Sequence, residues 1–131
     1  MNKQDCIEVI NKLIKFISER DRKFFYSNRT VNMDNVDSVA FMKLKNGRIY
    51  FVDDYTRREI AVINNHRDWK GFSHGGTIRA LILDFTKYIR TGEQSNGDNG
   101  YGGLHCRHWG YSEEAQREII HYAKSIGYLN K

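Results

Sequence analysis

The chain has 131 residues, with 21 Lys and Arg against 16 Asp and Glu, a net charge of +5, a pI near 9.2 and no proline. That length suits one domain over residues 1–131, with one core and no linker. No apolar run nears the ~18 residues that span a bilayer, and no apolar leader with a cleavage site follows Met1, so neither membrane insertion nor secretion is signalled. The basic excess favours a phosphorylated or polyanionic partner. The basic residues are scattered, however, and their densest group is Arg20, Arg22, Lys23 and Arg29, unlike a DNA-binding tail. Cys6 and Cys106 are far apart in sequence and are expected as reduced thiols in a cytoplasm.

From Asp5 to about Phe25, Cys6, Ile7, Val9, Ile10, Leu13, Ile14, Phe16 and Ile17 recur at helical spacing. They cover about half the circumference, wider than the stripe of roughly 100° that a surface helix buries. Glu8, Asn11, Lys12, Lys15, Ser18 and Glu19 take the other half. Two uses fit so wide a face: one helix sunk deeply in its own core, or one side turned to the core and another to a second chain.

Residues 36–44 alternate loosely, with Val39, Phe41 and Leu44. Asn46-Gly47 then supplies a two-residue hairpin turn with positive φ, and Arg48 to Val52 follows as the return strand. Glu59 to Ile63 can add a third strand, which makes an antiparallel meander with one face free for helices. A second helix starts at Thr77, with Ile78, Leu81, Ile82, Phe85, Tyr88 and Ile89 on one face and Arg79, Thr86, Lys87 and Arg90 turned away. Leu83 falls alone among the polar residues, and Gly92 stands where a left-handed residue ends a helix. The loop 94–103 is rich in turn residues, and 104–111 is read as an edge strand. Ser112 caps a last helix carrying Glu113 and Glu114 in its first turn, an inner face of Ala115, Ile119, Tyr122, Ala123 and Ile126, and Gly127 at its end. The fold class is therefore α+β: an N-terminal helix, a three-stranded antiparallel meander with its hairpin at Asn46-Gly47, two further helices and a fourth short strand.

Two clusters flank the second helix. The first is Trp69-Lys70-Gly71-Phe72-Ser73-His74-Gly75-Gly76-Thr77, which runs straight into the helix start. A helix start has unpaired N–H groups and about half a positive charge, and glycines just before it let a phosphate approach those donors. The second is Tyr101-Gly102-Gly103-Leu104-His105-Cys106-Arg107-His108-Trp109-Gly110-Tyr111. Both combine aromatics for stacking on a ring, glycines for close approach and cations for phosphate, and so could form two walls of one nucleotide site. The same residues also suit a helix entry with its aromatics in the core. Zinc at His105, Cys106 and His108 competes with this reading, but a closed site needs four ligands and the other thiol, Cys6, lies on an apolar helix face. A hydrolase would take His74 or His108 as base and Asp53, Asp54 or Asp84 as orienting acid, yet no nucleophile elbow, zincin or phosphate-transfer motif accompanies them.

The run 69–77, the helix end Tyr88-Ile89-Arg90-Thr91-Gly92, and Gly100-Tyr101-Gly102-Gly103-Leu104 with Trp109-Gly110-Tyr111 together resemble small phage proteins of the anti-Thoeris sponge family. The resemblance spans roughly a third of the chain. It implies a protein without enzymatic activity or cofactor that sequesters the cyclic ADP-ribose isomers made by TIR-domain immune enzymes, in the cytoplasm of the host bacterium. It also implies a homo-oligomer, from a dimer up to a hexamer, with cyclic oligonucleotides as further ligands and no specific DNA. The candidate contacts are Trp69, Phe72, Tyr101 and Trp109 for stacking, Ser73, His74, Gly75, Gly76 and Thr77 for phosphate, Arg57, Arg79, Arg107 and His108 as charged groups, and Asn99 for a base edge or ribose. The alternatives from other classes are a small phosphodiesterase or nuclease and a weak nucleic-acid-binding accessory protein.

Overall fold

The computed structural model describes residues 2–20, 24–27, 38–54, 57–62, 76–97, 103–106 and 110–130. Three helices lie among them: α1 (Lys3–Ser18), α2 (Gly76–Thr91) and α3 (Glu113–Ser125). Strands β1 (Tyr26–Ser27) and β2 (Ser38–Val39) pair with each other, while β3 (Phe41–Lys45), β4 (Arg48–Val52) and β5 (Glu59–Ala61) form an antiparallel meander in the order β3-β4-β5. The expected α+β class and hairpin are both present. Asn46 and Gly47 take φ of 53° and 78° and set Lys45 opposite Arg48.

That register fixes which side chains face inward. Met42, Phe51 and Ile60 stand in one row across the sheet, and all three are buried. Ile49 lies opposite Leu44 in the next row and accepts a hydrogen bond from the Val62 N–H at 3.1 Å. On this face sits α1, whose Ile10, Leu13, Ile14 and Ile17 are fully buried. Ile78, Leu81, Ile82, Phe85, Tyr88 and Ile89 of α2 are buried as their spacing predicts, as are Ala115, Ile119 and Ala123 of α3. Asn2 and Ser112 cap α1 and α3 by accepting from Asp5 and Ala115 N–H groups, and Gly92 and Gly127 end α2 and α3 with φ of 72° and 87°.

Several expectations are corrected. The first helix ends at Ser18, not near Phe25, because its last carbonyls find other donors: the Ile17 carbonyl takes the Arg20 N–H and the Tyr111 hydroxyl, at 3.1 and 2.8 Å. Phe25 instead has φ of 67° and packs, fully buried, against Phe51 and Phe85. The strand expected over 36–44 is interrupted at Ala40, whose N–H turns to the Phe25 carbonyl at 2.8 Å, so its first part pairs with β1 and its second with β4. No edge strand forms over the described part of 104–111. Leu104 and His105 lie in a turn closed by Cys106 N–H to Gly103 carbonyl at 3.2 Å, and Gly110 has φ of 79°. The Gln116 amide donates to the carbonyls of Leu104 and Cys106 at 3.1 and 3.3 Å, so α3 takes acceptors that a strand partner would have used.

Polar residues assigned to solvated faces also turn inward. Thr86 is 1% exposed and bonds the Ile82 carbonyl at 2.8 Å, and Ser18 is buried with its hydroxyl on the Lys15 carbonyl at 2.6 Å. Asn11 reaches the outer edge of β3: its amide donates to the Met42 carbonyl at 3.0 Å and accepts from the Met42 N–H at 2.6 Å. Val9, Phe16 and Leu83, which lie at or beyond the edges of their helices' inner stripes, are half-buried against this chain's own core. Phe16 stacks on Tyr122 with ring centroids 4.2 Å apart, and Arg20 covers it at 3.9 Å.

Candidate functional site

The two clusters of the nucleotide-site reading fall largely outside the described residues. Trp69, Phe72, Ser73, His74 and Gly75 of the first wall, and Asn99, Tyr101, Arg107, His108 and Trp109 of the second, are among those. The structure describes the supports to which these segments are joined.

The first wall leads into α2, which begins at Gly76, so Gly76 and Thr77 are its first residues. The three helix starts differ in charge. Asp5 stands in the first turn of α1, Glu113 and Glu114 in that of α3, and no acid in that of α2, where Arg79 stands instead. Acidic side chains at a helix start neutralise its positive end. At α2 that end is not neutralised by its own first turn. Arg79 is half-buried and engaged by its surroundings.

Arg57 is committed to the sheet. It has φ of 60°, donates from Nη1 to the Val39 carbonyl at 2.9 Å, and lies over the Phe41 ring at 5.5 Å. Its backbone N–H bonds the Asp53 carbonyl at 3.0 Å, which closes the connection from β4 to β5. Asp53 and Asp54 in that connection are 0% and 3% exposed and held by neighbouring groups.

The second wall is anchored at both ends. Leu104 is fully buried, and its carbonyl, with that of Cys106, is held by Gln116. Tyr111, 7% exposed, donates to the Ile17 carbonyl and accepts the Phe24 N–H at 3.1 Å. Upstream, the His105 N–H bonds the Gly97 carbonyl at 3.2 Å, and its imidazole lies so close that a Cβ on Gly97 would be 2.2 Å from Cδ2. Gly97 also has φ of 85°. Gly97→Ala is therefore expected to cost about 1–2 kcal/mol for the left-handed backbone, plus the displacement of the ring. Thermal melts of Gly97→Ala and of Gly97→Ala/His105→Ala separate the two: the double variant should recover only the ring's share, and equal melts would mean that the contact is not tight.

One polar cluster was not foreseen. Asp84 of α2 accepts the Ser95 hydroxyl at 2.7 Å and the Tyr128 hydroxyl in a very short hydrogen bond. Ser95 accepts the Gly97 N–H at 3.0 Å, and its backbone pairs with Tyr128 and Asn130 in a parallel bridge to the C-terminal segment. Burial, and then the Asp84 carboxylate, push the Tyr128 phenol well above its usual range, so it stays protonated and acts as donor. Tyr88 is raised too, chiefly by burial and next by Cys6. A cleft of about 240 Å³ opens beside the cluster, lined by Asp84, Lys87, Tyr88, Ser95, Asn96 and Asn130. The signal available in the sequence was Asp84 itself, an acid between the apolar positions Leu81 and Phe85 on one helix. Its partners lie 11 and 44 residues away, which no local pattern discloses. Among the described residues, no group of three or more His, Cys, Asp and Glu could hold a metal ion, and Cys6 and Cys106 are free thiols.

The described elements define an α+β fold, with α1 on one face of a three-stranded meander, α2 and α3 packed against α1, and a polar cluster where the segment after α2 and the C-terminal segment meet Asp84. The chain belongs to the YoqU family, whose pattern it matches over residues 1–131. It is 33% identical over 121 residues, 92% of this chain and 80% of the relative, to the SPbeta prophage-derived protein YoqU of Bacillus subtilis (strain 168). A prophage thus encodes a member of the family. No solved structure matches the chain, and no described helix is long and apolar enough to cross a membrane.

Proposed function

We propose that this protein is a viral sponge that binds a cyclic ADP-ribose-type immune signal without cleaving it. The observation that carries the reading is the start of α2: a glycine-aromatic run feeds a helix end that no acid of its first turn neutralises. The prophage origin of a relative supports a phage setting, and the resemblance of the two clusters to anti-Thoeris sponges supplies the ligand class. In this reading the pyrophosphate lies on the N–H groups around Gly75, Gly76 and Thr77 with Arg107 and His108 opposite, while Trp69, Phe72, Tyr101 and Trp109 offer faces to the adenine. Arg57 takes a supporting part through the sheet. The protein acts in the host bacterial cytoplasm as a dimer or larger assembly, with cyclic oligonucleotides as second ligands.

The test is recovery of the ligand. The protein is incubated with a cyclic ADP-ribose isomer, separated and heated. Release of intact ligand supports a sponge, appearance of a hydrolysis product supports a phosphodiesterase, and failure to take up ligand overturns both. Trp69→Ala and Phe72→Ala are each expected to weaken uptake at least tenfold, a loss of about 1.4 kcal/mol, with the melting temperature unchanged. A drop in melting temperature of several degrees without loss of binding would return those rings to the core. Light scattering on the wild type checks assembly: a mass staying at 15.4 kDa at high micromolar concentration would refute the oligomer.

A further inference from the structure

We propose that the outer face of the β3-β4-β5 sheet binds single-stranded nucleic acid, with Tyr50 as the stacking platform and Lys43, Lys45 and Arg48 as the phosphate contacts. This proposal uses residues other than the candidate contacts of the sponge reading and goes beyond that reading. The register places Lys43, Tyr50 and Ala61 side by side in one outward row, with Lys45 and Arg48 in the next row toward the hairpin. Adjacent strands are about 4.8 Å apart, and rows on one face are separated by about 6.8 Å along the strand. A half-buried tyrosine thus has a lysine on one flank, an exposed alanine on the other and two exposed cations beyond it. On that side the sheet itself puts only the methyl of Ala61 beside the ring.

Charge selects the partner. Glu59 is the acid of this face, and it holds both lysines: Lys43 Nζ lies 2.5 Å from Oε2 and Lys45 Nζ 3.4 Å from Oε1. The lysines lower the Glu59 carboxyl below its usual range, chiefly through the Lys43 hydrogen bond, so it is ionised at neutral pH. One carboxylate against Lys43, Lys45 and Arg48 leaves a positive face. A protein partner would be expected to meet an apolar centre with few charges. A ring among cations suits an unstacked base with its phosphates, whereas a duplex keeps its bases away from such a ring. Glu59 then acts as a placeholder: phosphates compete with it for the two ammonium groups.

The experiment is fluorescence anisotropy of full-length protein with a labelled oligothymidylate of about 15 nucleotides across a salt series, beside a duplex of the same length. Three phosphate contacts give a slope of log affinity on log salt of about −2, and Lys45→Ala/Arg48→Ala should reduce its magnitude by about 1.4. Tyr50→Leu should weaken binding at least fivefold, about 1 kcal/mol, with the slope unchanged. Glu59→Gln should tighten binding at least threefold, which a merely structural ion pair would not do. Glu59 is exposed and the amide keeps its shape, so this variant decides the matter even if Tyr50→Leu unfolds. Duplex binding as tight as the single strand, an unchanged affinity in folded Tyr50→Leu, or weaker binding by Glu59→Gln would each overturn the proposal. The same variants should take up cyclic ADP-ribose like the wild type, so failure of either reading leaves the other standing.

Discussion

Asp84→Ala is expected to lower the stability of this protein by about 3 kcal/mol, the largest loss from any single polar side chain described. Hydrogen bonds to a charged acceptor contribute roughly 1.5–3 kcal/mol each, and Asp84 accepts two. Removing it leaves the Tyr128 hydroxyl, on a residue that is 0% exposed, without its acceptor. Ser95 is half-buried, so water recovers part of its bond. Against a total of about 5–15 kcal/mol, such a loss should lower the melting temperature by about 10–15 °C. Asp84→Asn, which keeps an acceptor oxygen, should lose about half as much. A shift under about 3 °C for the alanine variant would show that the cluster contributes little. The burial of Tyr128, reinforced by the Asp84 carboxylate, also implies alkaline sensitivity. The folded Tyr128 phenol titrates above its unfolded value of 10.0, so the native chain holds a proton that the unfolded chain releases. That contribution is intact below pH 10 and is lost as pH rises from there through the folded value. Urea melts at rising pH should therefore show a fall in stability beyond pH 10 that is reduced in Tyr128→Phe.

Asn11→Leu is the second large expected effect, about 2–3 kcal/mol in urea denaturation. Two bonds vanish, and the Met42 N–H and carbonyl on the outer edge of β3 are left without their partner. Met42 itself is 1% exposed, so water has poor access to that backbone. Asn11→Asp should also destabilise, because a carboxylate can accept from the N–H but only repels the carbonyl. Lys12→Ala, on an exposed neighbour, should stay within about 0.5 kcal/mol. If Asn11→Leu behaved like Lys12→Ala, the amide would have no part in closing the sheet edge.

These two residues mark where reading the sequence stops short. The hairpin was legible because Asn-Gly demands positive φ at adjacent positions, and the helix faces were legible because apolar residues repeat at a fixed spacing. Ser112, Gly92 and Gly127 were legible because a helix end requires a cap whatever surrounds it. Asn11, Ser18, Thr86 and Asp84 carry no such local constraint. Asn11, Ser18 and Thr86 read as surface residues, and Asp84 as a candidate acid, until their partners arrive. Ser18 and Thr86 turn their hydroxyls back onto their own helix, while Asn11 and Asp84 serve segments far along the chain. The expected strand over 104–111 failed for a related reason: its described ends are bonded by Gln116 and to α1, not by a neighbouring strand. Of the candidate site, the start of α2 was legible from the glycines before it. The commitment of Arg57 to Val39 and Phe41 was not, since it depends on how β2 meets β3.

The central place of α1 bears on how the chain reaches its native state. Its partners come late: Asn11 waits for a residue 31 positions on, Ile17 for one 94 positions on, and Arg20, just beyond the helix, for one 98 positions on. Local turns close within microseconds, whereas pairings across such separations must first overcome loop-closure entropy and set the slow step. Until those pairings form, the apolar half of the α1 segment is uncovered. Conditions that prolong this exposure, such as high expression in the cold, should divert this protein into aggregates through α1 before any folded species is lost.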